Sequence, residues 1–226
     1  MSVGTARNRQ ASTLWSPQQR MTTVGLVLLV TMIAFEAMSL GTALPTMVAE
    51  LDGEALYSWP FTAFLAASVV GTVLSGWLSD TRGPRLPLLG GPALFAVGLL
   101  AAAVAPTMTV LLLGRVLQGL GAGVVAVAMY VLVAFAYPER NRPAVFGVIS
   151  AAWVVPAIVG PAVAGLLTEH ASWRLVFGGL VPIVAVATVL LVPLVRRLPA
   201  GPAGEVSTRR GVLQSSVGAA VGLSAL

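Results

Sequence analysis

The chain has 226 residues, of which 57% are hydrophobic and only 9% charged, and its mean hydropathy is +0.92. A soluble domain carries about 25% charge, so long apolar runs broken by short charged clusters identify a polytopic membrane protein. The net charge of +5 and the pI of 11.0 come from thirteen arginines and no lysine, and the arginines' position at the ends of apolar runs excludes nucleic-acid binding.

Met1 to about Arg20 is polar and too poor in apolar residues to be a cleaved signal, so residues 1–20 are expected as a cytoplasmic segment. Cutting the rest at its charged clusters predicts six spans, over roughly 22–46, 57–79, 86–105, 108–136, 144–167 and 175–195. Each is close to the roughly 20 residues that a bilayer core requires. Each is expected as a helix because unpaired backbone groups are not tolerated in lipid, and none shows the alternation of a membrane barrel. Eleven of the thirteen arginines fall on one side of this pattern, which the positive-inside rule assigns to the cytoplasm. Both ends of the six-span block, residues 21–197, are then cytoplasmic.

Span one, with "IAFEAMSLGTALP", holds the first ion inside an apolar run, Glu36. Span two closes on Asp80, at a helix C-terminus where the dipole disfavours an anion. Asp80 is therefore expected to pair with Arg82, Arg85 or the N-terminus of another helix; the two arginines set topology in any case. Span three reaches span four through the charge-free link "APTM", and span four holds the second buried ion, Arg115.

Each ion costs about 2.5–3.5 kcal/mol at a helix centre on insertion scales, which marks it as a functional candidate. At a rise of about 1.5 Å per residue both lie about 10–15 Å below the outer surface, so they are expected to meet across a cavity. A structural reading stands beside the functional one: Arg115 anchored on backbone carbonyls and Glu36 packed in its protonated form. Phe35, Met38 and Met129 are candidates for an adaptable pocket lining, or for packing alone.

Span five contains Gly160 and Pro161, and a proline in mid-helix removes a hydrogen bond and is expected to bend the span there. After span six come an expected linker, 198–210, rich in Gly, Pro and Arg, and an apolar run over 211–226 that is expected as the start of a seventh span.

"VVGTVLSGWLSD" at 69–80 returns as "IVGPAVAGLLTE" at 158–169, an offset of 89 residues. The first copy ends span two on the cytoplasmic side and the second ends span five on the outer side, so the fold class expected is an all-α membrane protein with an inverted three-plus-three repeat, as occurs in secondary transporters. Recurrence of Gly, Val and Leu in any apolar helix is the bland alternative. Gly71, Gly76, Gly119, Gly121, Gly123, Gly160 and Gly165 are expected to bring helices close together.

The motifs resemble those of the major facilitator superfamily, in the N-terminal half of its drug:proton antiporter branch. "GWLSDTRGPRLPL" is similar to the signature loop between spans two and three at Gly76, Asp80, Gly83 and Arg85, with Thr81 and Pro84 where basic residues are usual. "LLLGRVLQGLGAG" resembles the span-four motif at Arg115, Gln118, Gly119, Gly121 and Ala122, departing at Gly123. "PAIVGPAVAG" resembles the antiporter motif at Gly160, Pro161 and Gly165, with Ala164 for a glycine. "FEAMSLGTALP" places Glu36 at the acidic position of span one and Gly41 at a position usually asparagine, and "WRLVFGGLVP" resembles the start of span six.

The resemblance implies a transporter that moves drugs or other small amphipathic molecules outward in exchange for protons. Glu36, Arg115 and Gln118 would be its coupling group. Gly76, Asp80, Arg82, Gly83 and Arg85 would form a cytoplasmic gating loop that latches against a second half. Burial and the Arg115 charge pull the proton affinity of Glu36 in opposite directions, so a small helix movement could switch it between loading and release.

No cofactor or metal is expected, only a proton gradient, with sodium as the alternative ion. With one histidine, His170, no cysteine and no lysine, neither a metal cluster, a thiol nor a phosphate-binding loop is expected, and the chain is not expected to be an enzyme. The partners are membrane lipid, a small-molecule substrate and either a missing C-terminal half or a second copy. The superfamily works as about twelve spans, so the chain is expected to be a front half or a truncated product. Importer and non-transporting remnant are the alternative functions, and the location expected is a bacterial inner membrane.

Overall fold

The computed structural model describes residues 17–198; residues 1–16, most of the expected linker and the expected seventh segment lie outside the described residues. The described residues form eight α-helices and two single-turn 3-10 helices, with no strand among them. Among the described residues, six stretches are long and apolar enough to cross a membrane: Gln19–Glu50, Glu54–Arg82, Arg85–Ala103, Met108–Ala136, Glu139–His170 and Arg174–Val195.

Spans one to four are built on single helices, α1 (Pro17–Glu50), α2 (Trp59–Arg82), α3 (Arg85–Ala103) and α4 (Met108–Ala136). Their ends follow from local chemistry. Pro60 sits in the first turn of α2, where its missing N–H is no loss. The Thr107 hydroxyl caps α4 by accepting from the Val110 N–H at 3.4 Å. Tyr137 turns extended before Pro138, as a residue preceding proline prefers. Gly83 ends α2 at φ 83° and ψ 164°, a conformation essentially restricted to glycine.

Span five divides into α5 (Arg142–Ala151) and α6 (Val154–His170), and span six into α7 (Arg174–Gly178) and α8 (Val181–Val195). The bend expected at Gly160 and Pro161 is not where span five breaks: α6 continues through Pro161, and the break falls at Ala152 and Trp153. Pro156 accounts for it, because it offers no N–H to the Ala152 carbonyl four residues earlier and crowds it.

The two halves of the block interlock symmetrically. α2 and α3 pack on α4, while α1 packs on α6 and α8. Displacing the chain by the 89-residue offset turns α1 into α4, α2 into α6 and α3 into α8, so one packing pattern is the other run in the opposite direction. The inverted repeat is therefore a feature of the fold as well as of the sequence.

Four of the repeat's glycines let backbones touch. A Cβ on Gly123 would lie 2.1 Å from the Ser68 carbonyl oxygen, one on Gly119 2.2 Å from that of Phe64, and one on Gly71 2.3 Å from that of Leu120. Gly121 is as tight against α3, 2.5 Å from the Phe95 nitrogen. Such contact replaces the hydrophobic drive that helices lack in lipid. The close approach expected at Gly76 and Gly165 does not occur: a Cβ on Gly76 would meet nothing within 4 Å and one on Gly165 only the Thr42 side chain at 3.6 Å, while one on Gly160 would press on the Ser39 side chain at 3.2 Å with the nearest backbone at 3.7 Å.

At one end of the bundle Arg85, at the start of α3, donates to the backbone oxygens of Leu198 at 2.7 Å and Arg196 at 2.9 Å, beyond the end of α8. At the other end Arg174, at the start of α7, donates to the Ala105 oxygen at 3.1 Å, beyond the end of α3. These arginines are 89 residues apart and hold corresponding helix ends. Arg174 also pairs with Glu50, which accepts from the Trp173 indole at 2.6 Å. Near the first end, the Thr23 and Tyr137 hydroxyls bond at 2.8 Å and join the start of α1 to the end of α4. Burial holds the Tyr137 phenol above its ordinary range, with the Thr23 bond pulling the other way.

Candidate functional site

Glu36 of α1 and Arg115 and Gln118 of α4 come together in the bundle interior, with side chains no more than 1% exposed. Arg115 Nη1 donates to Glu36 Oε1 and to Gln118 Oε1. Gln118 lies one helical turn beyond Arg115, the spacing that places two side chains on one face. Arg115 Nε donates to the Pro60 carbonyl oxygen at 3.1 Å, and the guanidinium lies over the Phe64 ring at 4.5 Å from its centroid. The cation thus ties spans one, two and four together, and Phe64 supplies the ring face that a desolvated guanidinium favours.

Glu36 and Arg115 meet, as expected of opposite charges at one depth, but in direct contact inside the packed half rather than across a cavity. Buried charges are stable only when paired and hydrogen-bonded, and the shared depth of the two positions brings this about. Three buried polar atoms around the pair have no hydrogen-bond partner: Glu36 Oε2, Gln118 Nε2 and Ser39 Oγ. Leaving such a group unmatched costs about 1–3 kcal/mol. Glu36 therefore has one oxygen committed to Arg115 and one free to take a proton or a donor.

Phe35, Met38 and Met129 do not line one pocket. Met38 is exposed, whereas Met129 lines a small apolar cavity with Leu26, Leu29, Val125 and Leu191. Leu26 and Val125 are the repeat equivalents, at the 89-residue offset, of Arg115 and Glu36. The inverted repeat thus carries its polar contact at one depth and an apolar lining at the mirrored depth.

The loop between spans two and three also departs from expectation. Asp80 is exposed and, among the described residues, makes no ion pair with Arg82 or Arg85. Arg85 is drawn instead to the end of span six, Arg82 is exposed, and Gly76 faces open space. Gly160, Pro161 and Gly165 lie along α6, where Gly160 faces Ser39 of α1.

Sequence reasoning missed Pro60, Phe64, Ser39 and the Glu50–Arg174 pair. A backbone carbonyl and a ring face leave no signal in one sequence. The offset of 89 between Arg85 and Arg174 was a signal for their matching helix-end contacts, though not for Glu50.

Residues 26–225 match the family model of the Major Facilitator Superfamily. A Mycobacterium tuberculosis (strain H37Rv) protein described as an uncharacterized MFS-type transporter is 41% identical over 160 residues, covering 70% of this chain and 23% of that protein. A probable multidrug-efflux transporter of the same strain is 33% identical over 162 residues, covering 72% and 34%. The acurin A biosynthesis cluster MFS-type transporter of Aspergillus aculeatus is 36% identical over 163 residues, covering 72% and 29%. The chain therefore spans well under half the length of the relatives it matches. Among solved structures, a peptide transporter of the POT kind superposes with a TM-score of 0.70 over 90% of this chain and 44% of its own, at 18% identity, a likeness of fold alone. The chain belongs to the Major Facilitator Superfamily, whose fold is that of multi-pass membrane transporters rather than enzymes.

Proposed function

We propose that the protein is a proton-coupled antiporter that expels small amphipathic molecules, including drugs, and that Glu36 carries the coupled proton. The observation that carries this reading is the buried contact itself: a carboxylate with one oxygen on Arg115 and the other unpartnered, inside a span. Such a group can exchange its Arg115 contact for a proton when the helices around it shift. The relative named as a probable multidrug-efflux transporter supports the outward direction, as does the resemblance of "PAIVGPAVAG" to the antiporter motif.

In this reading residues 21–197 are one half of the transporter, and a second six-span half, on further chain or on a second copy, completes it. The N-terminus is cytoplasmic, because the arginine-rich ends lie together. Asp80, Arg82, Gly83 and Arg85 then stand at the cytoplasmic face, where Asp80 is free to meet the second half. The driving ion is a proton, no cofactor takes part, and the membrane is a bacterial inner membrane.

The test is uptake of ethidium into everted membrane vesicles driven by an imposed pH gradient, with the whole gene product. Glu36→Gln abolishes gradient-driven uptake while the protein still reaches the membrane. Uptake at the unmodified rate in that variant overturns the proposal.

A further inference from the structure

Ser39 stands out from the span-one pattern. It is fully buried, its Oγ has no hydrogen-bond partner, and it lies one helical turn beyond Glu36 on the same face of α1, where Glu36 Oε2 is likewise unpartnered. What faces it is span five: a Cβ placed on Gly160 would approach Ser39 Oγ at 3.2 Å, Met38 Cβ at 3.5 Å and the Phe35 carbonyl oxygen at 3.7 Å. α6 packs along α1 and reaches the neighbourhood of Glu36 at this point.

We propose that Ser39 is a positioning residue through which span five acts on Glu36, its hydroxyl turning between the glycine gap at Gly160 and the free oxygen of the carboxylate. This rests on the reading of Glu36 as the proton carrier. A serine hydroxyl rotates to suit its surroundings and can donate to a carboxylate or accept from a protonated carboxyl. Gly160 leaves that rotation room, and a shift of α6 along α1 alters the room. Span-five movement thereby becomes a change in how firmly Glu36 holds its proton.

The charged and titratable groups around Glu36 are few. Arg115 of α4 is bonded to it. On the other elements packed against α1, Arg142 of α5, Glu169 and His170 of α6 and Arg174 of α7 stand at helix ends, as does Glu54 of the 3-10 turn after α1. Arg174 is engaged with Glu50, 14 residues along α1 from Glu36 and about 21 Å away at the helical rise. Ser39 and Gly160 are thus the local means of adjustment.

Infrared difference spectroscopy of the purified full chain in lipid nanodiscs, titrated over pH, reads the Glu36 carboxyl as the band that Glu36→Gln removes. Ser39→Ala is expected to move the midpoint of that band by at least about half a pH unit, a threefold change in proton affinity. Gly160→Ala is expected to move it by a similar amount in the natural background and by far less when Ser39 is already Ala, because the nearest remaining neighbour is then Met38 at ordinary contact distance. Gly147→Ala in α5, whose Cβ meets nothing within 4 Å, is the span-five control and leaves the midpoint in place. A titrating band indifferent to Ser39→Ala and Gly160→Ala overturns the role of Ser39 alone. Absence of any band assignable to Glu36 overturns both this role and the proton-carrier reading beneath it.

Discussion

Glu36 and Arg115 each depend on the other. Truncating one partner of a buried ion pair leaves an uncompensated charge and costs about 3–5 kcal/mol, whereas replacing both is often close to neutral. Thermal unfolding in detergent should therefore show Glu36→Gln and Arg115→Met each markedly destabilised and the double variant nearer to the parent. Transport should be absent from all three, which separates lost coupling from lost folding. The glycines offer a second contrast. Gly123→Ala drives a Cβ to 2.1 Å from a backbone oxygen and is expected to cost about 1–3 kcal/mol by overpacking; Gly76→Ala, with nothing within 4 Å, is expected to leave the unfolding temperature unchanged or slightly raised. At this scale the sequence exposed the two ions, because a charge inside an apolar run is rare, but gave no indication that Pro60 and Phe64 receive the guanidinium. It also made all the repeat glycines look alike, since nothing local distinguishes Gly123, pressed against α2, from Gly76, which faces open space.

The arginine caps are properties of helices rather than of a site. Arg85 and Arg174 each supply donors to carbonyls that a helix end leaves unpaired, one at either end of the bundle and each across the boundary between repeats. Hydrogen bonds to a charged group are worth about 1.5–3 kcal/mol when shielded, and these half-exposed ones less, about 1–2 kcal/mol. Arg85→Gln and Arg174→Gln should each lower stability by about that much, and the losses should add because the sites share no partner; thermal unfolding of the single and double variants checks this. The spans themselves were legible from apolar length, with ends displaced by up to five residues. The break in span five was not. Both Pro156 and Pro161 lie within the run, and which one interrupts the helix depends on how neighbouring helices hold the freed backbone groups. Asp80 shows the same limit: its charge suggested an arginine nearby, while Arg85 has more carbonyls to satisfy at the end of span six.

At the scale of the bundle, the six described spans form an inverted repeat with the Glu36–Arg115 contact at one depth and an apolar lining at the mirrored one. Placing the arginine-rich end inside is directly testable, because the chain has no native cysteine. Asp52→Cys should react with an impermeant maleimide from outside intact cells, and Thr81→Cys only after the membrane is opened; the reverse pattern would invert the topology. The central claim is exchange of a proton for substrate. In proteoliposomes of the whole gene product with an entrapped pH indicator and no imposed gradient, an inward-directed step of ethidium should drive protons outward and raise the internal pH, and Glu36→Gln should abolish the signal. Substrate entry with no pH change, or with acidification of the interior, would contradict antiport at Glu36.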